Sequence, residues 1–169
     1  MNISGVTYAY NKNVRFRKTM ILIIFVLIIV AFIGVLGISA YVGWSLIHPE
    51  RAELPKFSSN IVIEYEDVQF KDINNTITLK GWNFKAKNSD KTIIMAHGYR
   101  NNRLQFDEKT LDLISGLQSK GFNVFTFDFR NSGISEGDKT TIGIKEKDDL
   151  LGAIKYVKSN KYNALAKNT

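Results

Sequence analysis

The stretch Phe122-Asn123-Val124-Phe125-Thr126-Phe127-Asp128-Phe129-Arg130-Asn131-Ser132-Gly133-Ile134-Ser135-Glu136-Gly137 changes character halfway. Its first six residues are mostly apolar and aromatic, which suits a strand buried in a sheet. From Asp128 onward charge, amide and two glycines take over, so the strand is expected to end near Phe127 and release a long structured loop.

Working outward, Leu111, Ile114 and Leu117 recur at helical spacing and Gly121 follows Lys120, which predicts a helix over Phe106–Lys120 with a glycine stop. Before it, Thr92-Ile93-Ile94-Met95-Ala96 is a short continuous apolar run that reads as a strand buried on both faces, followed by His97-Gly98-Tyr99-Arg100. After the long loop, Leu150, Ala153, Ile154 and Val157 mark an amphipathic helix over about Lys145–Ser159. The order strand, helix, strand, helix implies a parallel α/β sheet.

Nearer the N-terminus, Ile61, Ile63 and Tyr65, then Val68 and Phe70, alternate with polar or smaller residues, and Lys71–Asn75 is a polar turn. Thr76–Phe84 resumes the period of two with Ile77 and Leu79, then shifts to Trp82 and Phe84 at Gly81, where a bulge is expected. Asn163–Thr169 carries no periodic pattern and reads as a frayed end.

Met20–Ile47 contains no Asp, Glu, Lys or Arg. As a helix its 28 residues would run about 42 Å, more than the ~30 Å of a bilayer's hydrocarbon core. Tyr41 and Trp44 are rings of the kind that settle at headgroup level. The expected organisation is a basic cytoplasmic segment at 1–19, a transmembrane helix at 20–47, a polar linker containing Pro55 at 48–60, and one small domain at 61–169. An uncleaved signal anchor is the preferred reading; Gly37, Ser39 and Ala40 leave open a cleavage site.

Of the 23 basic residues, 4 precede Met20 with no acidic residue beside them, and the other 19 face 16 acidic ones, leaving +3 beyond the span. Lys12, Arg15, Arg17 and Lys18 therefore place the N-terminus in the cytoplasm by the positive-inside rule and put the domain outside the cell membrane. Charges in the domain are interspersed, which argues against nucleic-acid binding; the N-terminal cluster suits anionic membrane lipid. No cysteine occurs, so disulfides and thiolate chemistry are excluded.

The two loops carry the chemistry. Asp128-x-Arg130-x-x-Gly133-x-Ser135-x-Gly137, with His97-Gly98 after the preceding strand, resembles the α/β-hydrolase superfamily, especially its membrane-anchored bacterial branch related to serine peptidases and lysophospholipases. The likeness runs from about His48 through Asn160. It implies an N-terminal transmembrane helix followed by the first strands and two helices of an α/β-hydrolase sheet.

It also implies that the His97-Gly98-Tyr99 loop supplies an oxyanion-hole N–H from Tyr99, and that Asp128, Arg130, Gly133, Ser135 and Gly137 organise a structural loop. Asn131 stands where the family usually has glycine, and asparagine tolerates left-handed geometry better than most residues.

Gly133-Ile134-Ser135-Glu136-Gly137 satisfies Gly-x-Ser-x-Gly literally, yet a nucleophile elbow needs a strand turning directly into a helix. Ser135 lies several loop residues after the strand, and both histidines, His48 and His97, precede it, against the family order of nucleophile, acid, then histidine. No catalytic nucleophile, acid or base is thus expected in these residues, and no cofactor or metal site: paired histidines, a Walker pattern and a glycine fingerprint are all lacking.

The expected function is that of a membrane-anchored ester or peptide hydrolase relative that stops before its nucleophile and is inactive alone. A small-molecule or peptide substrate would be turned over only if a complementary C-terminal half were supplied. A non-enzymatic anchored binding module and one half of a split hydrolase are the alternatives.

Overall fold

The computed structural model describes residues 3–54 and 63–166. The elements are α1 (Ile3–Ile47), β1 (Glu66–Lys71), β2 (Thr78–Phe84), β3 (Thr92–Ala96), α2 (Glu108–Ser119), β4 (Asn123–Phe127) and α3 (Glu146–Ala166). They divide into two compact units, Met1–Ser45 and Leu46–Thr169. Pro55, Asn60 and Ile61, which figured in the expected linker and first strand, lie outside the described residues.

The first unit is the apolar helix. Val14–Ile47 is long and apolar enough to cross a membrane, and none of its most apolar window is buried. Helix continues back to Ile3, through the segment expected only as a basic flank, because nothing between Val6 and Ile33 breaks it: the stretch holds neither Pro nor Gly. It stops at Ile47, two residues before Pro49, whose ring disfavours helical geometry at His48.

The second unit is built on a four-stranded mixed sheet in the order β1-β2-β4-β3. β1 pairs antiparallel with β2 and β2 with β4, while β3 and β4 run parallel. Parallel neighbours need a crossover, and α2 supplies it. The β1–β2 turn is held by Asp72, whose carboxylate accepts from Thr76 N at 2.6 Å, Thr76 Oγ1 at 2.7 Å and Ile77 N at 3.1 Å.

Two hydrophobic clusters cover the two faces of the sheet. Trp82, Phe84 and Val124 pack with Leu104, Leu111 and Ile114 on one side, where α2 lies. Phe70, Leu79, Phe125 and Phe127 pack with Ala153 of α3 on the other. This explains the change of pattern along β2 without a bulge: Leu79 serves one face, Trp82 and Phe84 the other. Register runs one-to-one through Gly81, which faces Val68 on one side and Phe127 on the other. The glycine is required instead by close approach, since a Cβ there would lie 2.6 Å from the Thr126 carbonyl oxygen.

Two further expectations are corrected. β3 is not buried on both faces: Thr92–Met95 are half-exposed and Ala96 is exposed, because β3 is the edge of the sheet and nothing among the described residues pairs with its far side. α3 does not fray at Asn163 but continues to Ala166, where Ala164, Leu165 and Ala166 are strong helix formers.

Candidate functional site

Because β3 and β4 are adjacent and parallel, their C-terminal ends deliver His97–Arg100 and Asp128–Gly137 to the same edge, where open α/β sheets place ligands. His97 joins the two loops. Its Nε2 accepts the Phe129 N–H at 3.0 Å, so the proton sits on Nδ1, which donates to Gly98 O at 2.7 Å. The ring also meets the edge of Phe129 at 5.1 Å. Burial pushes the His97 pKa below its ordinary value, outweighing the Gly98 carbonyl and Asp128, which favour the cation. The imidazole is thus a neutral clamp, both of its nitrogens engaged by backbone.

Beyond it, Gly98 N donates to Gln105 Oε1 at 2.6 Å, and the turn closes with Arg100 at φ 58°. Tyr99 is exposed; its hydroxyl donates to Leu46 O at 2.7 Å. The Tyr99 N–H has no hydrogen-bond partner among the described residues. Beside it a cavity of about 270 Å³ is lined by His97, Tyr99, Phe129, Ile142 and Pro49 among others. An N–H left unpaired at the lip of a partly apolar cavity can receive a developing negative charge without first breaking another bond.

The second loop is pinned by buried charge. Asp128 is fully buried, and its carboxylate accepts from Arg103 N at 2.7 Å, Arg103 Nη2 at 2.6 Å, Arg103 Nε at 3.1 Å and Ile134 N at 3.1 Å. The Arg103 guanidinium lies 4.9 Å from the centre of the Trp82 ring. Arg130 forms the matching pair with Asp149: Nη2 to Oδ1 at 2.6 Å, and Nε and the backbone N each to Oδ2 at 3.0 Å. Burial opposes the Arg130 charge, but the bonds to Asp149 and the nearby carboxylates prevail and raise its pKa. Gly133, at φ 46°, passes so close to Asp128 that a Cβ would fall 2.1 Å from its Oδ2. Asn131 takes φ 54° and Gly137 φ 114°, where a Cβ would lie 3.0 Å from Asn131 N.

Ser135 is 1 % exposed. Its Oγ donates to Asp128 O at 2.7 Å and accepts from Lys80 N at 2.9 Å, stapling the loop to β2. Its proton is committed, and His97 has no free nitrogen to take it. A fluorophosphonate probe should therefore leave Ser135 unlabelled under native conditions. Ser135→Ala should cost about 1–3 kcal/mol by leaving the half-buried Lys80 N–H unpaired, read from urea denaturation. Stoichiometric labelling that disappears in Ser135→Ala would make it a nucleophile after all.

Several organising residues carried no sequence signal. Arg103 sits in a polar run, and Asp148-Asp149 has the look of a solvated helix face; Asp148 does accept from Asn74 Nδ2 at 3.1 Å, but Asp149 is fully buried. Arg51 reaches back to donate to Ser135 O at 2.7 Å and to Gly137 O.

At the start of α3, Glu146 accepts from Thr140 Oγ1, Thr141 N, Thr141 Oγ1 and Gly143 N at 2.7–2.8 Å. Partial burial raises its pKa, yet these donors outweigh it and lower the value from 4.5 to about 2. The stability this confers is complete above the unfolded value near 4.5 and is lost as pH falls towards 2. In acid titrations Glu146→Gln should flatten the pH 4.5–2 limb relative to the parent; an unchanged limb would show that Glu146 does not drive it.

Among the described residues no group of three or more His, Cys, Asp or Glu could hold a metal ion.

No family profile matches the chain. The Escherichia coli (strain K12) "Uncharacterized protein YfhR" is 36 % identical over 98 residues, covering 55 % of this chain and 32 % of that protein. The Bacillus subtilis (strain 168) "Uncharacterized protein YqkD" is 36 % identical over 85 residues, 50 % of this chain and 26 % of that one. The chain thus spans about a third or less of the length of these curated relatives. Among solved structures, the Pyrococcus furiosus esterase Pf2001 superposes with a TM-score of 0.59 at 36 % identity, over 68 % of this chain and 43 % of the esterase. That likeness is one of sequence as well as backbone, over part of the esterase's length, and the order of strands and helices is that of a partial α/β-hydrolase fold.

Proposed function

We propose that the chain contributes the oxyanion side of a serine-hydrolase site for an ester or amide carbonyl, held at a membrane by α1. The observation that carries the reading is the Tyr99 N–H, without a hydrogen-bond partner among the described residues, beside the cavity and on a loop fixed by neutral His97. Attack on the carbonyl would put negative charge on its oxygen, and an N–H with no other bond to break would be free to receive it.

Nucleophile, acid and base would come from the part of the fold that longer relatives add beyond α3, in the same polypeptide or in a complementary one. The half-exposed apolar edge of β3 is where the next strand of that fold would pair. Membrane lipid is the proposed partner of α1, with the basic flank cytoplasmic and the soluble unit on the other side of the cell membrane.

A chimera tests the site. Residues 46–160 joined to the C-terminal remainder of the Pyrococcus furiosus esterase should hydrolyse p-nitrophenyl esters. Tyr99→Pro, which deletes the N–H, should abolish turnover while Tyr99→Phe keeps it. Unchanged turnover in a folded Tyr99→Pro chimera would remove the oxyanion role.

A further inference from the structure

The turn between the β4 loop and α3 holds two isoleucines in solvent. Ile142 is 62 % exposed and Ile144 72 %. Single exposed apolar residues are ordinary, but Ile142 also stands at φ 51°, a left-handed geometry in which a β-branched residue is strained. The strain is imposed from both sides: the Glu146 carboxylate accepts Thr141 N and Gly143 N, each at 2.7 Å, bracketing Ile142. The turn is therefore fixed with its apolar tip outward, an arrangement that gains nothing in water.

The same turn is bonded to the residues with which its own unit begins, Leu46 and Ile47. Thr140 N donates to Ile47 O at 2.9 Å, and the exposed Tyr99 donates its hydroxyl to Leu46 O at 2.7 Å. Leu46 and Ile47 follow directly on Tyr41 and Trp44, the rings suited to headgroup level. Lys139, Lys145 and Lys147, all exposed, flank the isoleucines and are matched in number by Asp138, Glu146 and Asp148.

We propose that Ile142 and Ile144 insert into the lipid surface at the C-terminal end of α1, making the turn 140–145 an interfacial contact of the soluble unit. The inference rests on the reading of α1 as a membrane span. An apolar contact of this kind reaches roughly 5–10 Å into the headgroup and acyl boundary, and the lysines would meet anionic headgroups.

The chain contains no cysteine, so single cysteines can be placed without background. Full-length Ile142→Cys, Ile144→Cys and, as a control in the β2–β3 connection, Asn88→Cys would each carry an environment-sensitive fluorophore in phosphatidylethanolamine/phosphatidylglycerol vesicles. Positions 142 and 144 should emit at shorter wavelength than 88, be quenched several-fold more by nitroxide-bearing acyl chains, and be shielded from aqueous iodide. Ile144→Cys leaves the strained residue untouched, so it carries the test if Ile142→Cys misfolds. Labels at both positions as open to iodide as position 88, in a chain that resists alkaline carbonate extraction, would overturn the inference and leave the anchor standing. Release of the chain by carbonate would overturn both.

Discussion

Replacing Asp128 with alanine should destabilise the soluble unit by about 3–5 kcal/mol, because it strands the Arg103 guanidinium in the interior without its counter-charge. Both side chains are at most 1 % exposed, so solvent cannot step in. The carboxylate also satisfies the N–H groups of Arg103 and Ile134, which the same change leaves unpaired. A domain of this size has a total stability in the range of about 5–15 kcal/mol, so the variant should be largely unfolded in mild urea while the parent is native. Near-UV circular dichroism of the detergent-solubilised chain during urea titration would read this.

The double variant Arg103→Met/Asp128→Leu separates charge from packing. It removes the stranded cation and should recover part of the loss, since apolar replacements of buried pairs are often tolerated. Recovery should be incomplete, because the Ile134 and Arg103 amides still lack an acceptor, at about 1–3 kcal/mol each. A single variant costing under about 1 kcal/mol would mean that the pair is not what holds the β4 loop.

What the sequence made legible follows from what local patterns can carry. Val124, Phe125 and Phe127 signal a strand covered on both faces, and they are buried in that way. Ile93, Ile94 and Met95 give the same signal, but burial on both faces depends on having neighbours on both edges, and β3 has one. At Gly81 a bulge and a close backbone approach predict the same glycine and the same change of pattern; only the register distinguishes them.

The loop residues Asp128, Arg130, Gly133, Ser135 and Gly137 could be picked out by family resemblance. Their partners Arg103, Asp149 and Arg51 could not, since an ion pair between distant residues leaves no periodic trace. Ile142 is the extreme case. No feature of Thr141-Ile142-Gly143 announces a left-handed isoleucine; that conformation is set by Glu146, four residues on.

Two glycines inside helices show how packing overrides propensity, and they should respond to alanine with opposite sign. A Cβ at Gly116 of α2 would meet nothing within 4 Å. Gly116→Ala should therefore stabilise by about 0.5–1 kcal/mol through helix propensity and a less flexible unfolded chain. Gly152 of α3 gains the same propensity, but its Cβ would lie 2.4 Å from Lys71 O and 2.8 Å from Asp72 Cα. These are backbone atoms of the β1–β2 turn, itself bound to α3 through Ile73 N and Asp148 O at 3.0 Å. To restore ordinary contact at 3.4 Å the helix would have to withdraw from that turn by about an ångström. Asp149 would move with it, away from Arg130 and the β4 loop. The overpacking cost, about 1–3 kcal/mol from the clash alone, is enlarged by the loosened buried pair. Gly152→Ala is thus expected to be about 3 kcal/mol less stable than the parent despite alanine's better helix propensity. Thermal melts of the two variants side by side should move in opposite directions. If Gly152→Ala melted as high as Gly116→Ala, α3 would not be packed against the β1–β2 turn, and the route by which it holds Asp149 on Arg130 would have to be abandoned.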